Sequence, residues 1–338
     1  MLPIEIWRYI AESVEYNKDK CQLMMTCKEI SDYQFFFNEQ TLISRNKIKS
    51  RWFDRFTNII TDKIESFPLF MTHLTFYKYF NMPITSIKKE KIKNKLKFIE
   101  KNAFYTHISG GKPEVFYIPL SVTHLTLSAD FNQPINKNSI PSSVTHLTFG
   151  YEFNQPINEC IPSNMIHLTF GHDFNQPIKG SIPPFVKFLQ FGTMFNQSIK
   201  NNIPSSVTHL IFGHNFNRSI KNSIPDSVTH LTFGYRFNHS IENNIPSSVI
   251  YLKFEGCFNQ SINNIPRSIT HLTLGRFFNQ PINLDHKLKY IKLSESYNYP
   301  FLEVAKYTDE LAIPRNYDFL KHYFSEHVEK IHYSQDHD

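Results

Sequence analysis

Polar and apolar residues alternate over four positions at His146-Leu-Thr-Phe149, and the alternation returns at His167-Leu-Thr-Phe170 and His230-Leu-Thr-Phe233. A period of two marks a half-buried strand, so Leu147 and Phe149 are expected on one face and His146 and Thr148 on the other. Val144 breaks the alternation, which assigns it to the bend that leads into the strand. Gly150 closes the strand where a positive φ or a close backbone approach is easy. Beyond it, Phe153 and Ile157 are spaced for a return to the core. Asn154 suits bonding to turn backbone that no strand neighbour satisfies. Pro156 and Ile161-Pro162 keep the return leg extended, because proline cannot continue a helix. Each unit therefore reads as a short strand with a thin, turn-rich back.

The unit recurs. Aligned on its Phe-Asn pair it gives Phe131, Phe153, Phe174, Phe195, Phe216, Phe237, Phe258 and Phe278, in steps of 20 to 22 residues. A weaker copy precedes them at Phe80 and a frayed one follows at Tyr297. Periods of about 20–29 residues signal a solenoid. One unit buries too few side chains to offset the entropy lost on ordering it, so the predicted stable form is a stack in which each coil completes the core of the next.

In that register His73, His124, His146, His167, His209, His230 and His271 share one outward slot, with Phe188, Tyr251 and Tyr290 in three other copies. Parallel rungs about 4.8 Å apart make this a column. Thr126, Thr148, Thr169, Thr232 and Thr273 are expected beside it. Metal binding needs ligands converging on one point, which a flat column of parallel imidazoles does not supply. A stacked structural column and a partner-binding face remain, and the two are compatible. Where Lys187-Phe188 and Tyr251-Leu-Lys253 replace Thr-His-Leu-Thr, aromatic and cationic groups become candidate anchors for a protein partner. The candidate target-binding face is thus His124, His146, His167, Lys187, Phe188, His209, His230, Tyr251, Lys253 and His271.

The flanks read differently. Ile6, Tyr9 or Ile10, and Val14 fall at helical spacing, as do Leu23, Cys27 and Ile30, and Pro3 and Glu5 suit a helix start. Residues 41–70 are expected to form a helical linker that caps the array. Residues 86–115 are expected to form a lysine-rich helical insertion, with Ile92, Leu96 and Ile99 on one face. Phe319, Leu320, Tyr323, Phe324, Val328 and Ile331 predict an amphipathic helix within a carboxyl-terminal cap over 300–338. The expected organisation is a helical module over 1–40, the linker, a solenoid over 71–299, and the cap.

Composition narrows the class. Apolar residues make up 41% of the 338 positions and aromatic ones 15%, enough for a long core. No apolar run approaches the ~18–20 residues that cross a bilayer. The first residues lack a basic-then-apolar leader, so a cytoplasmic protein is expected, with the nucleus a second location. The four cysteines form no CxxC pair and no ligand spacing with histidines. Asn-x-Ser sequences at Asn196, Asn217, Asn238 and Asn259 read as repeat drift in such a compartment. The net charge of +6 comes largely from the run Lys88–Lys97, which lacks the aromatic platform of a nucleic-acid site. Phosphate-cradling glycine loops, GxSxG and HExxH are all absent, so neither catalysis nor a cofactor is expected.

The pattern Val-x-x-Leu-x-Phe followed by Ile-Pro resembles the leucine-rich repeat. The fuller phrase with Phe-Asn-x-Pro-Ile is similar to the FNIP repeat of amoebal and giant-virus proteins, with the Pro slot drifting to Ser at Ser198, Ser219, Ser240 and Ser261. The stretch Leu2-Pro-Ile-Glu-Ile-Trp-Arg-Tyr-Ile10, with Cys27-Lys28 further on, resembles an F-box. The family's usual aromatic after that Cys-Lys pair is displaced here. The resemblance implies docking on the adaptor subunit of a cullin-type (SCF-like) E3 ubiquitin ligase. Its contacts would be Leu2, Pro3, Glu5, Ile6, Ile10, Leu23 and Cys27, in the cytoplasm of a host cell if the chain is viral. Together the two resemblances imply a non-catalytic substrate-recognition subunit whose array holds a target protein. A scaffold without ligase association is the alternative.

Overall fold

The computed structural model describes residues 58–61, 73–76, 84–86, 116–314 and 328–333. Fifteen strands and one helix occur among them. In chain order these are β1 Asn58–Thr61, β2 His73–Phe76, β3 Ile84–Ser86, β4 Phe116–Ile118, β5 His124–Thr126, β6 His146–Thr148, β7 His167–Thr169, β8 Phe188–Gln190 and β9 His209–Ile211. There follow β10 His230–Phe233, β11 Tyr251–Phe254, β12 His271–Thr273, β13 Leu288–Lys292, α1 Phe301–Ala305, β14 Thr308–Ile313 and β15 Lys330–Tyr333.

Thirteen of these strands form one parallel sheet in the order β1-β2-β5-β6-β7-β8-β9-β10-β11-β12-β13-β14-β15, one rung per coil. Register is strict: Leu125, Leu147, Leu168, Leu189, Leu210, Leu231, Leu252 and Leu272 are partnered in sequence. All are at most 1% exposed, and the flanking strand residues are half-buried in most coils. The alternation read from the sequence is thus the burial pattern of the sheet. Val144 is buried in the preceding bend, where its N–H meets the Pro141 carbonyl at 3.1 Å.

The Phe-Asn pair explains itself in three dimensions. Phe153, Phe174, Phe195, Phe216 and Phe237 stack as one buried file, with ring centroids about 6 Å apart. Each also lies against the strand-end phenylalanine of its own coil, as Phe170 and Phe174 do at 4.0 Å. The asparagine beside it carries the turn. Asn154 Oδ1 accepts from the Asn175 N–H at 2.9 Å, and the arrangement repeats from Asn132 to Asn298. Backbone donors that leave the ladder at the turn therefore find a side-chain acceptor one coil away.

At the strand-end glycines close approach is what matters. A Cβ on Gly171, Gly192 or Gly213 would strike the carbonyl oxygen of the glycine one coil earlier, and none of the three has a positive φ. Positive φ occurs instead at the back turn, in Asn138, Glu159, Gly180, Asn201, Asn222 and Asn243. Asparagine tolerates this region better than other side chains.

At both flanks some described residues are strand where helix was expected. Residues 58–61 of the expected helical linker are strand β1, pairing with β2 in register from Asn58 to Thr61. At the carboxyl end, where a helical cap was expected, α1 is only five residues long and the ladder runs on through β14 and β15. Ile331 lies on a strand opposite Leu311. An exposed strand edge offers partners that a helical face cannot, and continuation of the ladder satisfies that edge. A separate parallel pair, β3 with β4, brackets the lysine-rich insertion, whose residues 87–115 lie outside the described residues, as do residues 315–327 with Phe319, Leu320, Tyr323 and Phe324 of the expected amphipathic helix.

Candidate partner-binding face

The solvent side of the ladder is assembled from two residues per strand. Pairing sets His124, His146, His167, Phe188, His209, His230, Tyr251, His271 and Tyr290 in one file, as the sequence register requires. The rings stack in tight and loose steps. Centroids are 4.0 Å apart for His124–His146 and for His167–Phe188, and 4.1 Å for His209–His230. The steps widen to 5.6 Å at His146–His167 and 6.1 Å at Phe188–His209.

A threonine before five of the six file histidines from His124 to His271, which sequence reasoning left out of the site, fixes the ring; Ile166 precedes the sixth, His167. The Oγ1 atoms of Thr123, Thr145, Thr208, Thr229 and Thr270 lie 2.8–3.0 Å from the Nδ1 of the histidine that follows. In three coils the hydroxyl proton is already committed, because Thr145 donates to Thr123 O at 3.4 Å, and Thr208 to Lys187 O and Thr229 to Thr208 O at 3.2 Å. Nδ1–H is then the donor to Oγ1 in His146, His209 and His230, and Nε2 is the acceptor. The recurrent Thr-His dipeptide was the available signal.

Three rings of the file favour the neutral form. Burial pushes the pKa of His167 below the ordinary histidine value, with the neighbouring His146 adding to it. Burial also lowers His230, aided by His209. His271 is lowered by burial and by Lys289, against an opposing pull from Glu310. Desolvation leads in every case, ahead of the repulsion between rungs.

Two places interrupt the His/Thr file. In one, Lys187 is exposed and Phe188 half-buried, beside Phe185 at 64% exposure and Ile166 at 40%. The Lys187 N–H meets the Ile166 carbonyl at 2.8 Å, so the two coils present one surface. In the other, Tyr251 (41% exposed) and Ile250 stand beside Lys253, which is paired with Glu255 at 3.3 Å. Phe185, Ile166 and Ile250 were missed from sequence because each replaces a polar residue in only one or two coils. Towards the carboxyl end the file gains charge: Tyr290 is followed by Glu310 and Lys330. Hydrogen bonds from His332 and Lys330 hold the Glu310 carboxyl below the usual range.

Among the described residues no cluster of His, Cys, Asp or Glu is arranged to hold a metal ion, and no helix is long and apolar enough to cross a membrane. Cys160 is buried, and burial raises its thiol pKa. Its Sγ takes the slot that Ser181 Oγ fills one coil on, 3.0 Å from the Ile135 carbonyl. The expected adaptor contacts Leu2, Pro3, Glu5, Ile6, Ile10, Leu23 and Cys27 lie outside the described residues.

A one-sided parallel ladder with a thin, turn-built back defines a solenoid of the leucine-rich-repeat type. The FNIP repeat model matches residues 115–152, 153–194, 195–236, 216–257, 237–277 and 258–286, a continuous half of the sequence, and the chain belongs to this repeat family. Among solved structures it is similar to CroV588, described as a novel circular LRR protein, with 32% identity and a TM-score of 0.54. The match covers 75% of this chain and 38% of CroV588, so the chain corresponds to well under half of that relative. Comparison with curated protein sequences gives no match. Repeat solenoids of this kind are typically non-catalytic, and the array suggests a protein-interaction scaffold.

Proposed function

We propose that the chain is the substrate-recognition subunit of a cullin-type ubiquitin ligase. Its first 40 residues dock on the adaptor subunit and its ladder face holds a target protein. What carries the target-holding half is the interruption of the His/Thr face by two apolar–cationic places, Ile166/Phe185/Lys187 and Ile250/Tyr251/Lys253. Exposed aromatic side chains are what protein interfaces concentrate at their centres, and the lysines beside them suit the polar rim. The acceptor nitrogens of His209 and His230 suit a target rich in donors at that point. The docking half rests on the resemblance of Leu2–Ile10 and Cys27-Lys28 to an F-box. Function is then proximity: the array raises the target's effective concentration beside the ubiquitin carrier.

The test is affinity capture of the full chain from a eukaryotic lysate. Cullin and adaptor are expected with the natural protein and are lost with Leu2→Ala/Pro3→Ala. A separate set of captured proteins is expected to be lost with Phe185→Ala/Tyr251→Ala. A chain that captures the second set and never the first is a scaffold without ligase association, the reading favoured if the solenoid alone carries the function.

A further inference from the structure

Past the ladder, the two residues that follow Gly150, Gly171, Gly192, Gly213 and Gly234 form a ridge of half-buried and exposed side chains along one edge of the stack. The first of these slots reads Tyr151, His172, Thr193, His214, Tyr235 over five successive coils, and so is the same in either direction. The coils are locked in register, the second-slot N–H meeting the first-slot carbonyl of the coil before: Asp173 on Tyr151, Met194 on His172, Asn215 on Thr193 and Arg236 on His214, at 2.8–2.9 Å. The rings obey the same symmetry, Tyr151 stacking on His172 at 4.2 Å and His214 on Tyr235 at 4.8 Å. So do the contacts beside them: His172 Nδ1 meets Asp173 Oδ1 at 2.5 Å, and His214 Nδ1 meets Asn215 Oδ1 at 2.9 Å.

The second slot is complementary where the first is identical. It runs Glu152, Asp173, Met194, Asn215, Arg236, from acidic through an apolar centre to basic. Met194 is 42% exposed at the midpoint. Glu152 and Arg236 are exposed, and neither makes an ion pair among the described residues. Of the nearby charges, Asp173 meets His172 and Arg276 meets Glu295 at 3.5 Å, whereas Asp130, one rung before Glu152, makes no ion pair among the described residues.

A surface whose first slot repeats on reversal, and whose end charges Glu152 and Arg236 exchange places, is complementary to itself at both ends when turned end for end. We propose that a second copy of this chain docks here about a two-fold axis through Met194, an isologous contact of the kind that closes as a dimer. Met194 meets Met194 of the copy, Asp173 faces Asn215, and Glu152 faces Arg236 twice by symmetry. The ridge is about 20 Å long at ~4.8 Å per rung, and its area falls below the ~800 Å² per partner of a standard interface. The dimer is therefore weak, and its charged rim makes it salt-sensitive. The surface is separate from the ladder face and the contact does not depend on the function proposed above.

Sedimentation equilibrium of the full chain at low salt tests this. The natural protein is expected to be a reversible dimer that dissociates as salt rises. Glu152→Arg and Arg236→Glu are each expected to weaken self-association about tenfold or more, by losing two pairs and opposing like charges. The two variants mixed in equal amounts are expected to associate again, since each then meets its complement. Met194→Cys, on the axis, is expected to cross-link to its own copy under mild oxidation, whereas Asn215→Cys, off the axis, does not. Circular dichroism identifies any variant that fails to fold, and the mixture then reads only folded chains. A natural protein that stays monomeric at low salt overturns the proposal. So does self-association that neither charge reversal weakens, or a mixture no tighter than its components.

Discussion

The side-chain oxygen of Asn154 serves two donors of the next coil at once, the Asn175 N–H at 2.9 Å and Gln176 Nε2 at 3.0 Å. Asn154→Ala strands a backbone donor at a half-buried turn, which costs about 1–3 kcal/mol. Asn154→Asp keeps the acceptor and costs less. Urea unfolding of both variants checks the order, and equal losses would show that the oxygen is not the essential atom.

Two glycines of one region carry opposite expectations. Gly192→Ala drives a methyl group into the carbonyl of Gly171 and must part the coils, so a loss of several kcal/mol is expected. Gly180 has a φ of +66° and nothing within 4 Å of an added Cβ, in a slot that Asn201 and Asn222 fill in later coils. Gly180→Asn is therefore expected to be neutral or to stabilise by a few tenths of a kcal/mol, because it narrows the unfolded ensemble. Thermal midpoints separate the two.

Phenylalanines of the two files differ in purpose. Phe195 is 0% exposed between Phe174 and Phe216, and Phe195→Ala is expected to cost about 3–5 kcal/mol. Phe188 lies half-buried on the ladder face against His167, and Phe188→Ala is expected to cost less stability and more target binding. Parallel unfolding and capture measurements on the two variants decide this.

Stability should fall on mild acidification. His167, His230 and His271 have folded pKa values below their ordinary 6.5, so the unfolded chain binds more protons as pH drops through that value. The stability they contribute is complete above about pH 6.5 and declines below it until the folded rings themselves protonate. A urea midpoint lower at about pH 5.5 than at about pH 7.5 is expected, and His230→Gln should flatten the difference in part.

Much of this architecture was legible in the residue pattern, for a physical reason. In a stack of equivalent coils burial recurs with the sequence period, so Leu147, Phe149, Phe153 and Ile157 declare their side of the chain repeatedly. Asn154 was readable as a backbone partner because few other side chains accept from a turn at that distance. The ends were not readable in this way. Asn58–Thr61 and Lys330–Tyr333 are four-residue strands whose hydrogen bonds come from a neighbouring rung rather than from their own spacing. In the second, Val328 and Ile331 fit a helical interval equally well, and the neighbour decided. The Thr–His contact was hidden because adjacent residues of a strand are read as facing apart, whereas Thr145 stands in the bend before it.

Backbone lies on backbone at the strand-end glycines, so every coil is cut to the width of the one beneath it. A single inserted residue there would push apart two surfaces that have no slack, while the back turn absorbs the extra residue between Phe131 and Phe153 without breaking the ladder. Growth and shrinkage of such a gene are thereby channelled. Whole repeats can be duplicated or lost as cassettes, changing the reach of the protein while leaving each remaining joint as it was.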